Sequence, residues 1–124
     1  MLRTLAIALL ALVIAVPVAM AADVDITGKW TSTFSTQIGE QHYTYTFAVK
    51  DKVLTGTAKN DMGETPIVDG KVDGAKVSFV EKVDFQGNQL VITYTGEITS
   101  NDEIKFTRQV GEFATEQLVA ARAK

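Results

Sequence analysis

The chain is 124 residues long, the length of one domain, with 12 Lys and Arg against 15 Asp and Glu for a formal charge of −3. An acidic chain with no basic stripe has no means of gripping a phosphate backbone, so nucleic acid is not an expected partner. The absence of cysteine excludes a disulfide framework, a thiol nucleophile, a zinc-thiolate site and a lipid-bearing cysteine anchor.

The first element in chain order is an export segment. Arg3 supplies its positive end, Leu5 to Val16 an unbroken apolar run, Pro17 a break, and Ala19-Met20-Ala21 a small-x-small cleavage site. The run is shorter than the ~20 residues a bilayer needs, and acidic Asp23 follows it. The expectation is a signal peptide over residues 1–21, a mature domain over 22–124, a periplasmic or secreted location, and no membrane insertion after cleavage. Cleavage removes Arg3 and no acid, which makes the mature chain more acidic by one unit.

Past residue 24 the apolar residues recur with a period of two, the mark of half-buried strands. Ile26, Gly28, Trp30, Ser32 and Phe34 share the inward face of a first strand. After a turn at 37–40, Tyr43, Tyr45, Phe47 and Val49 point inward on a second, and Asp51-Lys52 reverses the chain. Leu54, Gly56 and Ala58 mark a third strand, and Asn60 to Glu64 is the richest loop signal. A weaker fourth strand over Ile67 to Val72 leads to Asp73-Gly74, read as a type I′ hairpin turn. Val77, Phe79, Glu81 and Val83 then share the inner face of a fifth strand. Phe85 to Asn88 turns the chain into Leu90, Ile92, Tyr94 and Gly96, and Ser100-Asn101-Asp102 into Ile104, Phe106 and Arg108. The tail from Glu112 to Lys124 fits either a helical face, with Phe113, Gln117, Ala120 and Ala121, or an eighth strand. The strand is favoured, from about Glu116 to Arg122. Strands at roughly ten-residue spacing with short polar turns form an antiparallel meander, and closure removes its aggregation-prone edges. The predicted fold is therefore all-β, an up-and-down barrel of about eight strands.

Gly28-Lys29-Trp30 near the start and inward Arg108 near the end resemble the calycin superfamily, the lipocalins, fatty-acid-binding proteins and avidins. There a Gly-x-Trp packs beneath a basic residue from the end of the barrel. Together with Tyr43-Thr44-Tyr45-Thr46-Phe47, Leu54-Thr55-Gly56 and Ile104 to Arg108, it also looks like a group of small exported bacterial proteins. The resemblance implies that Gly28, Trp30 and Arg108 close the barrel floor, the guanidinium lying on the indole face. The chain is shorter than lipocalins proper and lacks their disulfides, which points away from a large lipocalin-type ligand.

Five residues are candidate ligand contacts: Phe34, Tyr43, Tyr45, Glu81 and Tyr94. The tyrosines combine rings with hydroxyls, which suits a pocket that orients an amphipathic molecule, although such rings also simply fill cores. Glu81 shares a face with Val77, Phe79 and Val83, so its carboxylate must be paired, protonated or wet unless a bulge turns it outward; Arg108 is its candidate partner. His42, the single histidine, falls on the outer face, which leaves a serine-histidine-aspartate triad or a multi-histidine metal site without parts. The loop 60–64 does not match the calcium-loop spacing. No catalytic constellation, metal or cofactor is expected. The expected role is binding of a small apolar or amphipathic molecule in the barrel mouth. The alternative is a solid barrel whose loops 37–41, 60–64 and 85–88 meet another exported protein as an inhibitor or accessory domain.

Overall fold

A computed structural model describes residues 24–124; the signal peptide expected over 1–21 lies outside them. Eight strands follow in order: β1 (Gly28–Thr36), β2 (Gly39–Lys50), β3 (Val53–Asn60), β4 (Gly63–Asp73), β5 (Lys76–Phe85), β6 (Asn88–Ser100), β7 (Glu103–Val110) and β8 (Ala114–Arg122). Each pairs antiparallel with its neighbour and β8 returns to β1, closing an up-and-down barrel. The ambiguous tail is thus a strand, two residues longer at its start than its sequence pattern suggested.

Turn chemistry explains the tight corners. Asp51 and Lys52 (φ 51° and 67°) and Gln86 and Gly87 (φ 52° and 83°) both hold the paired positive φ values of a type I′ turn. Asp73-Gly74 is not such a pair. Asp73 is the last residue of β4, opposite Lys76, and the corner is Gly74-Ala75 with positive φ at Gly74 alone. A single left-handed residue at the first corner position is the type II′ arrangement, which favours glycine.

The fourth strand reads poorly in sequence because it is bulged. Ile67 and Val72 both face inward although five positions separate them, and a register shift between Val68 and Lys71 absorbs the mismatch, with Asp69 at φ 53°. Here the wall bends tightly: a Cβ on Gly70 would stand 2.0 Å from the Leu54 carbonyl oxygen.

Alternating direction puts the β1–β2, β3–β4, β5–β6 and β7–β8 connections at one rim, the mouth, and the other connections with residue 24 and the C-terminus at the base. The base half is solid. Tyr45, Phe47, Phe79, Tyr94 and Phe106 pack ring on ring with centroids 4.3 to 6.4 Å apart. Beneath them Trp30 is fully buried and its indole N–H donates to the Ile26 carbonyl at 2.8 Å.

The cation on this indole is not Arg108. Arg122, from the end of β8, lies 4.5 Å from the Trp30 ring and donates to the backbone carbonyls of Asp25, Thr27 and Asn101. It seals the base by tying the chain's entry, the β6–β7 turn and the indole together. Arg108 is elsewhere because β7 runs parallel to β1 in an eight-strand meander, so its late residues approach the mouth. Gly28 fits the same seal: its φ of 134° disfavours a side chain, and a Cβ there would touch the Arg122 guanidinium at 3.4 Å.

Candidate functional site

Above the aromatic layer the barrel opens into a cup of about 870 Å³. Ile92, Leu90, Val83 and Val110 contribute apolar wall, Pro66 and Phe85 the upper sides, and Tyr43, Arg108 and Glu116 a polar floor. Ile38, Met62 and Phe113 are exposed, one on each of three mouth connections.

The floor and the layer beneath it form one hydrogen-bonded cluster built from six strands. Alternation carries Tyr43 inward on β2, Glu81 on β5, Tyr94 on β6, Arg108 on β7 and Glu116 on β8. Cross-strand register sets Arg108 opposite both Tyr94 and Glu116. The Arg108 Nε–H donates to the Tyr94 hydroxyl (2.9 Å), one Nη2–H to the Tyr43 hydroxyl (3.1 Å) and one Nη1–H to the Glu116 carboxylate. Tyr43 and Tyr94 in turn donate to the two oxygens of Glu81, each at 3.3 Å. Asn60, the last residue of β3, donates its amide to the Tyr43 hydroxyl at 3.2 Å.

With Glu81 ionised, the single Tyr94 phenol proton goes to its carboxylate, so in the 3.0 Å contact between Tyr45 and Tyr94 it is Tyr45 that donates. Every buried polar side-chain atom among the described residues then has a partner.

Burial governs the electrostatics. It pushes the Glu81 carboxyl above its usual range, against the pull of the Arg108 charge and the two hydroxyls. It also pushes the Tyr43, Tyr45 and Tyr94 phenols up, so all three stay neutral at physiological pH. For Arg108 burial opposes the charge, but Tyr94, Tyr43 and Glu116 outweigh it and hold the guanidinium protonated. Aromatic faces complete its cage, with Phe34 and Tyr43 at 5.2 and 5.3 Å from its central carbon.

Of the residues singled out from sequence, Tyr43 lines the cup. Glu81, Tyr45 and Tyr94 form the layer directly beneath, and Phe34 stacks on Tyr43 at 5.6 Å. Glu81 and Arg108 are joined through the Tyr43 and Tyr94 hydroxyls. Glu116, the ion-pair partner of Arg108, and Asn60 were not singled out. The signal for Glu116 is its alternation with Leu118 and Ala120, which a strand beginning at Glu116 left at its frayed end. The sequence pattern places Asn60 in the loop 60–64. His42 lies on the outer wall against Thr33 and Glu40. Among the described residues no group of three or more His, Cys, Asp or Glu converges to hold a metal ion. Set against protein-family models, curated proteins and solved structures, the chain has no match in any of the three.

Proposed function

We propose that this is an exported, non-enzymatic binding protein whose cup takes one small apolar or amphipathic molecule, in the manner of a compact calycin. The observation that carries the reading is the volume: about 870 Å³ of open space with apolar walls falls within the range of small-molecule sites. The polar floor suits the end of such a molecule that must be oriented. The Gly-x-Trp of β1 beneath an arginine from the chain's end supports the calycin likeness, with Arg122 in the basic position. Location in the periplasm or outside the cell rests on the N-terminal sequence pattern.

Two measurements test it. Native mass spectrometry of protein purified from its own host should show a co-purifying mass. N-phenyl-1-naphthylamine, an apolar fluorophore, should bind and be displaced by Leu90→Trp, which fills the wall. An unoccupied protein that also fails to bind the fluorophore would reject the reading.

The second reading is a docking module for another exported protein, favoured by the exposed Ile38, Met62 and Phe113 around the rim. It predicts that a Met62→Ser, Phe113→Ser variant loses a protein partner recovered from the host while fluorophore binding is unchanged.

A further inference from the structure

The cup floor leaves a small set of donors and acceptors free for a ligand. Arg108 has five N–H groups; three are spent on Tyr94, Tyr43 and Glu116, and two, one on each terminal nitrogen, have no partner among the described residues. Glu116 uses Oε1 for Arg108, and its Oε2 has no protein partner among them. The Tyr43 hydroxyl is saturated, since it donates to Glu81 and accepts from Asn60 and Arg108. Both oxygens of Glu81 are engaged below the floor. The groups available at the bottom of the cup are therefore a donor pair on Arg108 and, beside it, an acceptor on Glu116.

The single floor cation is already matched by Glu116, with Glu81 in the layer beneath. Higher up, the cup is lined by Glu64 and Asp84 against Lys82. An anion entering this site meets no unmatched positive charge, and a cation reaching the floor meets the guanidinium. A neutral group that accepts from Arg108 and donates to Glu116 satisfies both at once.

Resting on the reading of the cup as a small-molecule site, we propose that its ligand inserts a neutral donor-acceptor head, of the carboxamide type, between Arg108 and Glu116, with an apolar tail along Ile92, Leu90 and Val110. Fatty carboxylates are rejected by Glu116.

Calorimetric titration of the full mature protein with decanamide, decanoate and decylamine tests this. Decanamide should bind at least tenfold more tightly than either charged analogue. Glu116→Gln should reverse the order against decanoate, because it leaves the guanidinium without its counter-charge, and should weaken decanamide only a few-fold. Decanoate or decylamine binding as tightly as decanamide to the wild type would overturn the head-group assignment while leaving the cup as a ligand site. No binding of any of the three, nor of N-phenyl-1-naphthylamine, would remove the cup reading itself. The wild-type comparison does not depend on the variant folding, and thermal melting reports whether Glu116→Gln folds.

Discussion

Tyr94 is the junction of the buried cluster, because one hydroxyl accepts from Arg108 and Tyr45 and donates to Glu81. Tyr94→Phe strands three partners at once, whereas Tyr45→Phe removes a single donor. Urea denaturation should show Tyr94→Phe costing about 2 to 3 kcal/mol and Tyr45→Phe about 1 kcal/mol. Equal costs would mean that the cluster does not act as a unit. Glu81 adds a pH dependence with a definite sign. Its carboxyl binds a proton more tightly folded than unfolded, since burial raises its pKa. The stability from that proton is complete below the ordinary carboxylate range, near ~4.3, and is lost as pH rises through the raised value. Glu81→Gln is uncharged throughout, so its melting temperature should gain on the wild type between pH 4 and pH 8. A difference between the two proteins that stays constant with pH would show that the native state does not perturb Glu81.

At the scale of the strand, β8 closes the barrel by short pairing and by side chains. Its ladder with β1 comprises Trp30 opposite Arg122 and Thr31 opposite Ala121. Beyond those pairs the buried Ser32 hydroxyl donates to the Val119 carbonyl at 2.7 Å. Arg122 then ties three backbone carbonyls at the base. Arg122→Ala should cost roughly 1 to 3 kcal/mol, from the cation–π contact and the carbonyl bonds together, and should shift Trp30 fluorescence. Arg108→Ala should leave that fluorescence unchanged, since Arg108 packs on Phe34, Tyr43 and Tyr94. Trp30→Ala, which empties the base, should cost about 3 to 5 kcal/mol. Gly56 makes a different demand: a Cβ there would sit 1.7 Å from the Thr46 carbonyl oxygen, so β2 and β3 could not keep their spacing. Gly56→Val should lower the melting temperature sharply, by more than the Tyr45→Phe change.

For the whole molecule, closure shortens the strand edge that could recruit another chain, with the β1–β8 seam paired at its base end through Trp30–Arg122 and Thr31–Ala121. Deleting residues 114–124 removes β8, bares the facing edges of β1 and β7, and takes away both Arg122 and Glu116. Sedimentation velocity should find the truncated protein aggregated under conditions where the full domain is monodisperse.

Period-two alternation in the sequence determined seven strands, their inward faces and the antiparallel order, because which face a side chain takes depends only on its own strand. The tail from Glu112 fitted a helix as well as an eighth strand until closure onto β1 decided it. Alternation placed Trp30, Tyr43, Tyr45, Tyr94 and Arg108 in the interior without any knowledge of their neighbours, and set Glu81 on the same face with a bulge as the alternative that the buried position rules out. Turn residues added most corners, and failed at Asp73-Gly74, where the ladder extends one residue further than the dipeptide suggests. Tertiary structure alone decided which inward side chains meet. Strand direction around an eight-membered ring sends the end of β7 toward the mouth and the end of β8 toward the base, so Arg108 joins the tyrosines and Arg122 takes the indole. Closure likewise decided that the base half is filled by rings while the mouth half stays open, since alternation states that a residue points inward but not how much space remains between it and the opposite wall.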